Sequence, residues 1–310
     1  MRFADIDFTD VYLGESACWF AGVSGADDSM RAPQEVMGDL LRLRGVCVKT
    51  QEDIKRPEFT VRHEDVSYRV SMMQSVGEKV YVLRKFPETV PEFDTLGIMD
   101  GIGKFLLTPK MTGLIIISGA YGQGKTTTAS ALVDERLKHF GGVAITLEDP
   151  PEMPLQGARG SGVCYQTWVE DGNFSEAARK AARWAPTIIF LGEVRDGHTA
   201  AEALKASING RLVICTLHAN SVQSSLERLY SLANSAGGSI EDTASLLASG
   251  IAAIMHQNLE GEQKKRIKTE FLFLRGEDTA GVKNLIRQRK FEQVGSEINL
   301  QLNKMMMKRG

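Results

Sequence analysis

Eight residues limit the fold more than any others in this chain. Gly119, Ala120, Tyr121, Gly122, Gln123, Gly124, Lys125 and Thr126 read G-x-x-x-x-G-K-T. Such a loop wraps phosphate in backbone N–H groups at a helix N-terminus, so it needs a buried strand before it and a helix after it. Leu114 to Ser118 is a short apolar run that reads as that strand. Thr126 to Phe140 has helical spacing and stops at Gly141 and Gly142. Gly119, Gly122 and Gly124 would let the backbone close on the phosphates. Lys125 would bridge the β- and γ-phosphates of ATP, and Thr126 would offer its hydroxyl to Mg2+. Ala120, Tyr121, Gln123 and Thr127 complete the expected nucleotide-binding set.

Bulk properties exclude several other classes. The 310 residues are 43% hydrophobic and 25% charged, ordinary for a soluble protein of one large or two smaller domains. A net charge of -2 offers no general attraction to nucleic acid, so a stable nucleic-acid partner is not expected. Cys18, Cys47, Cys164 and Cys215 are scattered with no C-x-x-C pair, which favours reduced buried thiols over zinc ribbons or redox dithiols. No apolar run approaches the ~18 residues of a membrane span, and acidic residues precede the first apolar stretch. A cytoplasmic protein without a transmembrane segment or signal peptide is expected.

The two halves have different patterns. Up to residue 85 the chain reads as a small α+β domain. Asp10 to Leu13 is a first strand, and Asp28 and Ser29 cap a helix through Val36, Leu40 and Leu43 with Pro33 in its first turn. Phe59 and Val61, then Val66 to Met72 after a turn at Glu64 and Asp65, then Val80 to Leu83, alternate as antiparallel strands. Pro87 and Pro91 mark residues 86–93 as linker and hinge. From 94 to 310, strands expected at 113–118, 142–147, 187–191, 211–215 and 267–274 alternate with helices at 126–139, 174–184, 199–208, 222–233 and 240–257. That order implies an α/β domain with a largely parallel sheet covered on both faces.

Strand ends in such a sheet face the ligand crevice, and three of them carry chemistry. Glu148 ends one apolar strand and is followed by Asp149, Pro150 and Glu152. A carboxylate there could orient or deprotonate the attacking water. Glu193 follows Thr187 to Leu191 in a Walker B pattern, with Gly192 where many P-loop enzymes hold Asp. His218 ends the strand Leu212 to Cys215 and could sense the γ-phosphate. Each of these features alone is also compatible with a solvated surface residue.

In this order, the P-loop, Thr146 to Glu152, Ile189 to Asp196 and Cys215 to Ser221 resemble the secretion-ATPase superfamily. These are the motors of type IV pili, type II secretion and type IV secretion or conjugation, and the retraction branch is the most similar. Phe174 to Arg183, Val282 to Arg287 and the opening strand Phe8 to Leu13, with Tyr12 in place of the usual His, extend the likeness. The resemblance implies a RecA-like P-loop domain preceded by a smaller PAS-like α+β domain. It further implies a homo-hexamer that hydrolyses ATP with Mg2+, peripheral at the inner membrane and docked to platform or secretion proteins. Glu193 and Glu148 would manage water and metal, with Thr126 and Glu193 as the metal-side residues. Arg69 and Arg84 fall on the positions of two arginines that reach nucleotide from the N-terminal domain.

Several departures stand out. Ala120, Tyr121 and Gln123 replace Pro, Thr and Ser in the loop, and Trp184 and Ala185 stand where the family has Asp before Pro186. Gln257, Asn258 and Leu259 replace Gln-Arg-Leu in an expected long C-terminal helix, and residues 153–172 read as an enlarged Gly-rich loop. Two rival readings remain at this level. A RecA-like nucleic-acid translocase would show a basic, aromatic channel, and a non-catalytic scaffold would lack one of the carboxylates.

Overall fold

The computed structural model describes residues 3, 6–23, 29–64, 66–169, 172–261 and 266–307, and the chain divides into two units, 1–89 and 90–310.

The first unit is built on six strands: β1 (Asp10–Leu13), β2 (Cys18–Ala21), β3 (Ser29–Arg31), β4 (Glu58–His63), β5 (Val66–Gln74) and β6 (Lys79–Lys85). They form one antiparallel sheet in the order β3-β2-β1-β6-β5-β4. Period-two alternation gives it two unlike faces. Phe20, Val11, Leu83, Val70 and Phe59 pair across neighbouring strands as one buried row. Helix α1 (Met37–Ile54) packs against β1 and β4 and adds buried Leu40, Leu43 and Cys47. One residue along, Asp10, Arg84, Arg69 and Thr60 pair as a polar row on the opposite face.

The expected first helix begins late. Ser29 to Arg31 pair with β2, and the Ala32 N–H donates to the Cys18 carbonyl at 2.9 Å, so this backbone is committed to the sheet. After Pro33 comes a short 3-10 turn, Gln34–Val36, and α1 starts only at Met37. Asp28 and Asp65, read as cap and turn residues, lie outside the described residues. The helix persists to Ile54 and stops at Lys55, which takes a left-handed φ of 55° two residues before Pro57.

The second unit holds β7 (Gly113–Gly119), β8 (Gly142–Glu148), β9 (Gly157–Arg159), β10 (Gly162–Trp168), β11 (Ile188–Leu191), β12 (Leu212–His218), β13 (Ile251–Glu260) and β14 (Arg266–Phe273). Their order is β14-β13-β7-β12-β11-β8-β10-β9, parallel from β13 to β10 and antiparallel at both edges. Every residue of β7 and β11 is buried, which explains their unbroken apolar runs. Ile115 and Ile117 face α2 (Asp100–Leu106) and α3 (Lys125–Phe140) through Ile102, Leu106, Leu132 and Leu137. Val90 and Phe93 join this same core.

Leu114 and Ile116 face the other core. It is filled from α4 (Phe174–Arg183), α5 (Gly197–Ile208), α6 (Val222–Ser235), α7 (Ile240–Gly250), α8 (Ala280–Arg287) and α9 (Val294–Met307).

Two expectations fail here. The helix foreseen over 240–257 ends at Gly250, and β13 takes over. Ile251 to Gln257 are all buried, and a short run apolar on every side reads equally as helix or strand until its neighbour is known. That neighbour is β7. Gln257, Asn258 and Leu259 therefore lie in a strand and not in a long C-terminal helix. Within the stretch 153–172, residues 157–168 are more ordered than a Gly-rich loop, because β10 pairs in parallel with β8 and β9 folds back on it. All four cysteines are free and buried, and burial pushes the Cys47, Cys164 and Cys215 thiols up to about 12. Among the described residues, no helix is long and apolar enough to cross a membrane.

Candidate functional site

The phosphate loop leaves β7 at Gly119 and enters α3 at Lys125. Gly122 and Gly124 both take φ of 72°, a conformation that favours glycine. A Cβ on Gly119 would come within 2.5 Å of the Gln257 carbonyl oxygen, so β13 packs directly against the loop. Gln257, fully buried, donates from Nε2 to the Gln123 carbonyl at 2.6 Å, and the Leu259 N–H donates to Gln123 Oε1 at 2.6 Å. The loop is thus held from behind by two residues of a neighbouring strand. No motif pointed to that role; Gln257 stood out only as part of a departure from the family pattern.

Register brings the other side chains to the loop. His218, last in β12, is the direct partner of Gly119. Lys125 is buried, and its Nζ donates to the Ala120 carbonyl at 2.8 Å and lies 3.4 Å from His218 Nδ1. On the far side of the ring, His218 Nε2 lies 3.3 Å from Glu193 Oε1. An ammonium can only donate, so Nδ1 accepts and the imidazole proton sits on Nε2, where it donates to Glu193. Burial, then the Lys125 charge, pulls the His218 pKa down, consistent with a neutral ring. Burial likewise lowers Lys125, with Glu193 and Glu152 opposing. The second Glu193 oxygen accepts from Arg195 Nε at 2.8 Å. Lys125, His218, Glu193 and Arg195 therefore form one continuous polar chain.

Glu148 ends β8, one strand beyond β11, and is only 2% exposed. Burial pushes its pKa up, while Gln166 Nε2 donates to Oε1 at 3.0 Å and the Glu152 N–H to Oε2 at 3.4 Å. Gly192 explains itself here: a Cβ at that position would sit 3.3 Å from Glu148 Cγ and 3.4 Å from the Leu147 carbonyl oxygen. Gln166 on β10 also donates to the Met153 carbonyl and accepts from the Leu155 and Gln156 N–H groups, pinning the segment beyond Glu148. Sequence reasoning missed it because it lies in a stretch read as loop.

Local chemistry starts the helices at the site. Asp196 caps α5 through the Thr199 N–H at 2.9 Å, and Ser221 with Ser224 forms a reciprocal cap on α6 just after His218. Thr126 and Thr127 lie half-buried in the first turn of α3. Tyr121 is 82% exposed, its ring nearly parallel to that of His218 with centroids 6.3 Å apart.

Arg69 and Arg84 belong to the first unit. They are direct cross-strand partners, a placement that like charges disfavour. Acids sit beside both: Arg84 donates to both oxygens of Asp10 at 2.8 Å, and Arg69 lies 3.4 Å from Glu58.

The chain is 33% identical over 217 residues to the uncharacterized protein YggR of Escherichia coli (strain K12), covering 68% of this chain and 63% of that protein. It is 32% identical over 162 residues to the type IV pilus ATPase PilU of Pseudomonas aeruginosa, covering 52% and 42%. It therefore spans less than two thirds of the length of these curated relatives. Among solved structures, the pilus retraction motor PilT with bound ADP superposes with a TM-score of 0.79 at 26% identity, covering 96% of this chain and 87% of that one. The Legionella pneumophila ATPase DotB shares the fold, with a TM-score of 0.72 at 22% identity over 93% and 83%. The model of the Type II/IV secretion system protein family matches residues 53–297, and the chain belongs to that family.

Proposed function

We propose that the chain hydrolyses ATP as the motor subunit of a type IV pilus, type IV secretion or conjugation machine. The observation that carries this reading is the chain from Lys125 through His218 to Glu193 at the phosphate loop, with buried Glu148 at the end of β8, the neighbour of the strand that leads to Glu193. Residues 119–127 would hold the phosphates, and Lys125 would turn its ammonium from Ala120 and His218 toward the β- and γ-oxygens. Water then attacks the γ-phosphorus in line as its bond to ADP breaks. Glu148, whose raised pKa suits a base, takes the water proton. Glu193, tied to His218 and Arg195, orients that water.

Mg2+ needs only one or two protein oxygens besides phosphates. The donor types at Thr126 and Glu193 suit it, although the described residues hold no cluster of three or more metal-ligating side chains. When bound, it would offset charge developing on the γ-phosphoryl oxygens.

The adjacent Arg69 and Arg84 would offset the same charge from an N-terminal domain, their mutual repulsion relieved by an anion. In this reading the first unit is PAS-like, the second RecA-like, and residues 86–93 are the hinge that turns hydrolysis into movement. A heterologous contact of this kind closes into a ring. We infer a cytoplasmic homo-hexamer, peripheral at the inner membrane and docked to platform proteins. Phosphate release by the purified chain, compared with Lys125→Ala, tests the enzyme; normal turnover in that variant would end the reading. Light scattering with a slowly hydrolysed ATP analogue tests the ring.

A further inference from the structure

On the face of β7 that carries Leu114 and Ile116, the next residue is Ser118, just before the phosphate loop. β13 changes in step with it: Ile254 pairs with Ile116, and His256 pairs with Ser118. Ser118, His256 and Ser225 are all buried, where apolar side chains would escape the cost of desolvation. What the polar residues gain is an unbroken line of contacts. Asn258 Nδ2 lies 3.3 Å from His256 Nε2, and His256 Nδ1 lies 3.4 Å from Ser118 Oγ. Ser225 Oγ is 2.7 Å from Ser118 Oγ and 2.7 Å from the Ser221 carbonyl. That carbonyl can only accept and each hydroxyl has one proton, so a single direction of donation uses every contact. Ser225 donates to Ser221, Ser118 to Ser225, His256 Nδ1–H to Ser118, and Asn258 to Nε2. Burial lowers the His256 pKa against the pull of Glu270, in keeping with a neutral ring. Glu270, the cross-strand partner of His256, accepts the Val222 N–H at 2.7 Å, so the start of α6 is seated on β14 as well.

We propose that His256 is a positioning residue for ATP hydrolysis, an Nδ1–H donor that ties Ser118 to the first turn of α6. Ser118 leads directly into Gly119, the register partner of His218, and Ser221 caps α6 three residues after His218. The line of contacts therefore sets the spacing between the start of the loop and the turn that follows the histidine. A fully satisfied buried network specifies one arrangement more sharply than apolar packing does. Gln123 is held separately by Gln257 and Leu259. Breaking the line thus disturbs His218 against Lys125 and Glu193 more than it disturbs the grip on nucleotide. The proposal rests on reading Lys125, His218 and Glu193 as one catalytic chain.

The test compares three variants of the full chain. His256→Leu fills the space without a donor, His256→Asn puts an amide N–H in place of Nδ1–H, and Ser225→Ala breaks the line at its far end. Steady-state ATP hydrolysis is measured well below each melting midpoint, with long-range 1H–15N spectra of 15N-histidine samples near pH 8. Signals lost in His256→Leu and in His218→Gln assign two of the five histidines. The expected result is an Nδ1–H form for His256 in wild type, opposite to the Nε2–H form of His218. His256→Leu and Ser225→Ala lower kcat by about tenfold, the worth of one buried hydrogen bond, at nearly constant KM, and both displace the His218 signals. His256→Asn melts no higher than His256→Leu yet turns over within about twofold of wild type. An Nε2–H form of His256 in wild type overturns the proposal. So does a wild-type kcat in Ser225→Ala, or an Asn variant as slow as the Leu variant. If wild type releases no phosphate, the hydrolysis reading fails and the His218 signals in Ser225→Ala decide: displaced, they uphold the tie through Ser118, and unmoved, they overturn it.

Discussion

Gln257 and Gln123 are 134 positions apart in sequence, yet the side chain of one donates to the backbone carbonyl of the other at 2.6 Å. This bond and its companion from Leu259 clamp the phosphate loop to β13. Gln257→Ala would take this donor from the part-buried Gln123 carbonyl, at a cost of about 1 kcal/mol. We expect a lower denaturant midpoint and a nucleotide Kd raised by about tenfold, with kcat reduced less. Urea unfolding and equilibrium nucleotide titration check both.

Glu148 carries a stability cost with a definite pH signature. Its pKa is raised by burial, so its contribution to stability is fully present below the unfolded value near 4.5 and is lost as pH rises through the folded value. Glu148→Gln removes the buried charge. The variant should melt higher than wild type at pH 8, with the advantage shrinking as pH falls, while its phosphate release drops by at least about a hundredfold. Thermal melts across pH, paired with activity, give the answer; a variant as active as wild type removes Glu148 as the base.

His218 titrates in the opposite sense. Burial and Lys125 lower its pKa below 6.5. Its contribution to stability is present above that unfolded value and lost as pH falls through the folded one. Protonation also destroys the acceptor that Lys125 uses. The kcat profile should stay level from pH 8 to about 6.5 and fall on an acid limb below it. A limb centred above that value would contradict the neutral-ring assignment.

Glu193 meets His218 with one oxygen and Arg195 with the other. Glu193→Gln keeps the shape and loses the charge. It should bind ATP with near-normal affinity and stall, and single-turnover phosphate release separates binding from chemistry. A wild-type rate would take Glu193 out of the mechanism.

Arg84 has a structural partner in Asp10, so its role must be separated from that ion pair. Arg84 is half-exposed but Asp10 is mostly covered and the pair is bidentate, so its loss costs about 1 kcal/mol. Arg84→Ala should therefore melt a little below wild type and keep nucleotide binding, yet lose at least about tenfold in turnover. Full activity would reduce Arg69 and Arg84 to a cross-strand pair with no part in hydrolysis.

The parts of this molecule that could be read from sequence are those where chemistry is local. The phosphate loop, the strands on either side of it and the acidic or imidazole strand ends each announce themselves within ten residues. What stayed hidden depends on distant neighbours. Ile251 to Gln257 reads as helix or strand until β7 lies beside it. Ser29 to Arg31 reads as a helix start until β2 takes its backbone. Gln166 belongs to no motif, and the Gln-Arg-Leu pattern in which Gln257 falls says nothing of its grip on the loop, because an amide that holds another residue in place needs only to be in reach of it. Gly192 read as an oddity and is the space into which Glu148 fits.

The pairing of β13 with β7 also sets an order of assembly. A nascent chain that has emerged only as far as α7 already contains Lys125, Glu148, Glu193 and His218, but not the strand that grips the loop. All four of these side chains are therefore synthesised before the strand that fixes the loop at Gln123, and the loop gains that support only once β13 has been made.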